Sequence, residues 1–142
     1  MSLKISKIVG ASNSRAWSQV HEFLPETINN QGSEPTSFET HGHLMAALSF
    51  EAKKEGIEVS SFGTEIIKRL QELYYSNESE GVLKKLSQVM ESLAAEFLIE
   101  VDLEMALMVV LEVSGEKVLC AGRSGGGQVF LRRDSQLVGL LS

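Results

Sequence analysis

The first part of the chain shows the hydrophobic pattern of strands. Residues 3–10 alternate apolar and polar side chains, as a strand with one buried face does. Residues 16–24 carry their apolar residues less regularly, and we predict a second strand there. Residues 43–50 are almost continuously apolar, which is typical of a short strand buried on both faces. Three strands are therefore predicted before the first helix.

The middle of the chain predicts two helices. Apolar side chains recur there at three- and four-residue spacing, so they fall on one face of each helix. Ser60 or Ser61 is the expected N-cap of the first helix. Because only a few residues separate the two segments, an antiparallel helix pair is predicted. The two apolar stripes are Phe62, Ile66, Ile67, Leu70, Leu73 and Tyr74, then Val82, Leu83, Leu86, Val89, Met90, Leu93, Ala94 and Phe97.

The last part of the chain predicts short antiparallel strands. Ser114-Gly115-Glu116 is a hairpin turn, and the glycine-rich segment 122–127 is a second turn or a bulge. Strands, then two helices, then further strands indicate an α+β fold, a layered sandwich with mostly antiparallel sheets. The strands are predicted at residues 104–113, 117–121, 128–131 and 137–141.

Length, composition and charge narrow the class of protein. The 142 residues are the usual size of one domain, so residues 1–142 are predicted as a single domain. Residues 25–40 hold both prolines and are predicted as a mobile surface loop. A net charge of −6 argues against nucleic acid as a partner. With one cysteine, no signal-like start and no apolar run of roughly 20 residues, we expect a cytoplasmic protein without membrane contact.

The glycine-rich segment is the first candidate for a binding site. Backbone amides in such segments can hold phosphate, and Arg123 adds a positive charge. A strand pattern follows it, however, instead of the helix that known phosphate loops open. A tight turn and a ligand loop both remain open. The second interpretation makes Arg15, Arg123, Ser124, Gly125 and Gly126 the predicted ligand-binding residues.

The candidates for a metal site are few. His41 and His43 can place two imidazoles at the start of a strand, which is half of a metal site. Only Asp102 and Asp134 among the 19 acidic residues are aspartates, and Mg²⁺ and Mn²⁺ sites are built mostly from short carboxylates. Most of the glutamates are expected on helices and in loops. We therefore predict no catalytic residue, no metal centre and no cofactor.

The segment Val118–Asp134 resembles the strand–turn–strand of the metal-dependent type 2C serine/threonine protein phosphatases. In that family an apolar strand leads into Gly-Asp-Ser-Arg, and the next strand ends in Arg-Asp-Gly. Residues 125–128 (GGGQ) stand at the first motif here, and residues 133–135 (RDS) at the second. Arg15 matches the early arginine that contacts phosphate in active members. The resemblance implies an α-β-β-α sandwich.

The family's metal-binding positions differ in this chain. Residues 18–20 (SQV) stand where the family has Asn-Glu-Asp, and residues 49–53 (SFEAK) where it has Asp-Gly-x-Gly-Gly. The resemblance covers about the first half to two-thirds of the family domain and leaves out its last metal-binding aspartates. Hydrolysis in that family uses a metal-bound water, so losing these ligands implies a pseudophosphatase.

Three functional hypotheses follow. The first is a catalytically inactive phosphatase-like domain that binds a protein partner or forms a homo-oligomer, since an incomplete sandwich exposes sheet edges. The second is a domain that binds a small phosphorylated ligand, or acts on one, through the segment Gly122–Gly127. The third is an unrelated α+β interaction module.

Overall fold

The computed structural model describes residues 15–25, 41–79, 81–125, 129–133 and 136–141, the last two ranges by their backbone only. The predicted strand 3–10 lies outside these residues. So do Gly126 and all of the predicted loop 25–40 except Pro25.

Four strands form one antiparallel sheet in the order β1-β2-β3-β4. Strands β5 and β6 pair antiparallel in a separate hairpin, and β6 contacts β4. The predicted α+β class with antiparallel strands is confirmed. The elements are β1 (Ala16–Glu22), β2 (His43–Ala52), α1 (Val59–Tyr75), α2 (Val82–Phe97), β3 (Val101–Val113), β4 (Glu116–Ser124), β5 (Val129–Arg133) and β6 (Gln136–Leu141).

The two helices form the predicted antiparallel pair. The Arg69 guanidinium of α1 donates to the Glu96 carboxylate of α2, with 2.8 Å between Nε and Oε2. Asn77, just after α1, donates to the Gln88 side chain at 3.0 Å. The later residue, at the end of α1, contacts the earlier residue of α2, so the two helices run in opposite directions. α1 contacts β1, and α2 contacts β3 and β4.

The helix pair covers one face of the sheet and makes the core with it. Successive side chains of a strand point to opposite faces, so alternate residues of each strand meet the helices. Trp17 of β1 lies opposite Phe50 of β2, and their rings stack with centroids 5.2 Å apart. The side chains that have no exposed surface are Phe23, Leu44, Ile66, Leu70, Tyr74, Leu93, Leu107 and Val109.

We call the sheet face turned away from the helices the outer face; its residues are Ala16, Ser18, Val20 and Glu22 of β1 and their cross-strand partners on β2, β3 and β4. Its centre is apolar, and Met45 and Ala106 are buried there. Polar side chains lie at both ends of this face: Ser49, Glu51 and the first residues of β3 at one end, and Glu22 with His43 at the other.

Two local predictions were wrong. The turn expected from Gly122 onward begins later, because β4 continues to Ser124 through pairing with β3. At Gly122 a Cβ would come within 2.8 Å of Met90 Cε, so the absence of a side chain there lets α2 pack on the strand. The N-cap of α1 is Glu58 rather than a serine: its carboxylate accepts from the Ser61 N–H at 2.8 Å.

Candidate functional site

A polar concavity lies at one end of the outer face. We call it the outer groove. Its volume is about 440 Å³. Ala16, Trp17, Ser18, Ser49, Phe50, Glu51, Asp102 and Glu104 line it.

Strand pairing brings these side chains together. Ser18 of β1 lies directly opposite Ser49 of β2, and Ser49 in turn lies opposite Glu104 of β3. Glu51 lies opposite Asp102 in the same sheet. Because residues two apart on a strand share a face, the two serines and three carboxylates all point to the outer side.

The groove carboxylates depart only in part from the expectation from the sequence. Glu104 belongs to a strand, as predicted, whereas Glu51, predicted to follow the strand 43–50, is part of β2. Both project into one groove with Asp102. All three residues are exposed. Within the described ranges, no three histidine, cysteine or acidic side chains are grouped closely enough to hold a metal ion.

Arg15 is held at the end of the β1–β2 pair. Its guanidinium Nη2 donates to the Ala52 carbonyl at 3.3 Å, and the Ala52 N–H donates to the Arg15 carbonyl at 2.7 Å. Next to it the Lys53 Nζ donates to the Leu98 carbonyl at 2.8 Å. These bonds tie the start of β1 to the ends of β2 and α2.

Arg123 and Ser124 lie far from Arg15, at the end of the opposite edge strand. β1 and β4 are separated by two strands, so three strand spacings of about 4.8 Å put the backbones of the two arginines roughly 14 Å or more apart. Their surroundings differ: Arg15 donates to the Ala52 carbonyl, whereas Arg123 borders a cavity next to α2.

A second cavity, of about 400 Å³, borders the end of β4. Arg123 and Ser124 line it together with Ser87, Met90, Glu91 and Ala94 of α2. Gly125 follows at the edge of the sheet, where a Cβ would come within 2.7 Å of Glu104 Cγ. Gly125 therefore contacts the outer groove, whereas Arg123 and Ser124 border the second cavity.

The two candidate metal histidines point to different sides of the sheet. His41 is buried, and its Nε2 lies 2.9 Å from the Asn77 carbonyl oxygen beside the helix pair. His43 lies on the outer face, with its Nε2 2.9 Å from Glu22 Oε1. Each imidazole has its own protein partner, so they do not form the predicted half-site.

The groove residues were missed in the sequence because each was considered alone. A usable signal was present: Ser49 and Glu51, like Asp102 and Glu104, are spaced by two at the polar end of an apolar strand. This spacing marks one face of a strand. Only the β2–β3 register, however, shows that the two pairs meet.

The outer groove offers hydroxyl and carboxylate oxygens. Such a set attracts cations and accepts hydrogen bonds from donors. In the part of the chain that the structure describes, neither serine hydroxyl is hydrogen-bonded to a histidine or lysine, the groups that activate a nucleophilic serine.

No helix in the described ranges is long and apolar enough to cross a membrane. When the sequence and the structure are compared with family models, with curated proteins and with solved structures, none of them matches this chain.

Proposed function

We propose that this chain is a catalytically inactive phosphatase-like domain that acts by binding a protein, either another protein or a second copy of itself. The observation that carries the proposal is the pairing of Ser18 with Ser49 across β1 and β2. Both belong to the segments that stand at the metal-binding motifs of the type 2C phosphatases.

The pairing of Ser18 with Ser49 supports both the resemblance to the type 2C phosphatases and the proposed loss of phosphatase activity. Two segments distant in the sequence meet in one groove, as two motifs of one metal centre must. The residues that meet are serines, and Val20 with its partner Ala47 follows on the same face. Neutral hydroxyls and apolar side chains hold divalent cations poorly compared with carboxylates, so these positions do not supply the ligands on which the family's metal-bound water depends.

The carboxylates of Glu51, Asp102 and Glu104 make the proposal open to a sharp test. They line the same groove as the serine pair. Manganese binding is measured by calorimetry, and hydrolysis of an aryl phosphate is measured in the same buffer. We expect no metal-dependent turnover.

Substitutions of the groove carboxylates show whether any metal-dependent hydrolysis takes place in the outer groove. Glu51→Gln and Asp102→Asn remove groove carboxylates, while Glu55→Gln removes an exposed carboxylate from the turn after β2. Metal-dependent hydrolysis that both groove variants abolish and Glu55→Gln retains would overturn the inactive assignment.

Exposed apolar residues support the protein-binding part. Val113 is 49% exposed and Val118 is 39% exposed near the turn between β3 and β4, although both belong to strands. Contiguous exposed apolar patches mark contact surfaces, and Val113 and Val118 lie on the same face of the β3–β4 pair. Sedimentation of the chain with and without Val118→Lys tests self-association, and Leu83→Lys on α2 is the matched exposed control. Association lost equally in both variants would contradict a contact at this turn.

The cavity between α2 and β4 favours a second candidate, a small phosphorylated ligand bound by Arg123 and Ser124. By the strand register the Ser124 side chain lies on the helix side of the sheet, and the Arg123 side chain starts on the outer face and borders the cavity at the β4 edge. A guanidinium and a hydroxyl that converge at this edge would suit a phosphoryl group. The test is the thermal stability of the chain with nucleotides and sugar phosphates in excess. A rise in melting temperature that disappears in Arg123→Gln supports this function, and an unchanged melting temperature contradicts it.

A further inference from the structure

The cavity between α2 and β4 has an apolar floor. Met90 and Ala94 of α2 line it, and both are half-buried. A Cβ on Gly122 would come within 2.8 Å of Met90 Cε, so the methionine lies against the strand. Residues four apart on a helix are neighbours on one face, so Met90 and Ala94 form one apolar row along the cavity. An alkyl chain can pack on such a row.

Two polar rims flank this floor. Ser87 and Glu91, also four residues apart on α2, form one rim, and both are exposed. Because Glu91 is exposed whereas Met90 is half-buried, the Glu91 rim lies farther from the sheet than the floor does. Arg123 and Ser124 form the other rim at the end of β4. The cavity therefore has a carboxylate on its helix rim and a guanidinium on its strand rim.

The two charges are not joined in an ion pair with each other. Within the described ranges the Glu91 carboxylate makes no hydrogen bond and no ion pair. By contrast, Glu96, farther along the same helix, is paired with Arg69. The Glu91 carboxylate can therefore accept a cation from a ligand that occupies the cavity.

We propose that the ligand of this cavity carries a protonated amine as well as a phosphoryl group, joined by an alkyl chain. The phosphoryl group contacts Arg123 and Ser124, and the ammonium contacts Glu91. The alkyl chain packs on Met90 and Ala94. A cavity lined by one cation and one anion matches a ligand that carries both charges better than it matches a simple anion.

This inference rests on the phosphoryl-binding function proposed for the same cavity, and it adds the class of ligand. The cavity volume of about 400 Å³ is in the range of small-molecule sites, roughly 300–1,000 Å³. The same chemistry occurs in free aminoalkyl phosphates and in the phosphoethanolamine headgroup of lipids.

The test is calorimetric titration of the whole chain with ω-aminoalkyl phosphates of increasing chain length, each compared with the alkyl phosphate of the same length. We expect one chain length to bind best. At that length the amine should tighten binding about two- to fivefold, which corresponds to an exposed ion pair. High salt should reduce this difference between the two ligands.

Substitutions assign the effect of the amine to one carboxylate. Glu91→Gln should abolish the advantage of the aminoalkyl phosphate and leave binding of the alkyl phosphate unchanged. Glu55→Gln, which removes an exposed carboxylate from the turn after β2, should keep the advantage. Arg123→Gln should weaken binding of both ligands.

The outcomes separate this inference from the function on which it rests. If the two ligands bind equally, or if Glu91→Gln keeps the advantage of the amine, the inference is wrong while phosphoryl binding stands. If neither ligand binds, both are wrong. Glycerophosphoethanolamine, a phosphodiester, separates the two sources: binding as tight as that of phosphoethanolamine identifies a lipid headgroup, and much weaker binding identifies a free monoester.

Discussion

At the scale of single residues, close approach between layers depends on a missing side chain. Gly63 in α1 sits on the Trp17 ring, and a Cβ there would come within 2.2 Å of Trp17 Cε2. Trp17 is buried and stacked on Phe50, so displacing it from α1 would disturb that stacking. The contact sets how closely α1 approaches the β1 edge of the sheet.

Gly63→Ala is therefore expected to destabilise the fold. Alanine favours a helix over glycine by about 1 kcal/mol, but overpacking a tight interface costs about 1–3 kcal/mol, and here the gap is too short for a methyl group. We expect a net loss of about 1–2 kcal/mol, measured by urea unfolding.

A double-mutant cycle shows whether Trp17 is the cause. Trp17→Leu alone lowers the stability because packing is lost, but it leaves space beside residue 63. Gly63→Ala should therefore cause little or no further loss of stability in that background. The same cost of Gly63→Ala in both backgrounds would show that the clash with Trp17 is not responsible.

At the scale of elements, strand register decides which charges meet. The β2–β3 register puts Glu51 directly opposite Asp102, and Glu104 follows Asp102 two residues later on the same face of β3. Like charges that face each other across strands destabilise a sheet. A sheet that holds three carboxylates in one groove thus keeps an unfavourable arrangement at its end.

Glu51→Lys should stabilise the protein by about 0.2–1 kcal/mol, since it replaces a repulsive pair with an attractive one. Glu55→Lys makes the same change of charge in the exposed turn after β2, away from Asp102. Urea unfolding of both variants at low and high salt measures the difference. The advantage of Glu51→Lys should shrink at high salt, and an equal gain in Glu55→Lys would point to net charge instead of the facing pair.

The periodicity of apolar residues predicted which helices and strands form. It predicted less well where β4 ends, and it did not predict the outer groove. The apolar stripes of α1 and α2 were clear because each helix buries one face, and both helices lie where predicted. The glycines at 122–127 were interpreted as a turn because local sequence carries no information about Met90, which occupies the space above Gly122. The groove was missed for the same reason: Ser18, Ser49 and Asp102 meet only through pairing between distant strands.

At the scale of the whole molecule, two tyrosines connect the layers. The Tyr75 hydroxyl donates to the Gly42 carbonyl at 2.9 Å and accepts from the Leu44 N–H at 3.2 Å, while the Tyr74 hydroxyl donates to the His41 carbonyl. The end of α1 is thereby fixed to the start of β2. Both side chains are almost fully buried, and they are the only tyrosines of the chain.

Alkaline pH should therefore unfold the protein in one step with tyrosine ionisation. Burial raises the pKa of Tyr74 and of Tyr75 well above the ordinary value near 10. The folded state thus binds protons that the unfolded state has released, so stability is complete below pH about 10 and falls above it, by up to about 1.4 kcal/mol per tyrosine and pH unit. Tyrosinate absorbance and the fluorescence of Trp17 should change together.

Tyr75→Phe should halve the absorbance change. It should also lower the stability at neutral pH by about 1–3 kcal/mol, because it leaves two buried backbone groups without partners. Tyrosinate that forms near pH 10 while Trp17 fluorescence stays native would show that these hydroxyls are open to water and do not connect α1 to β2.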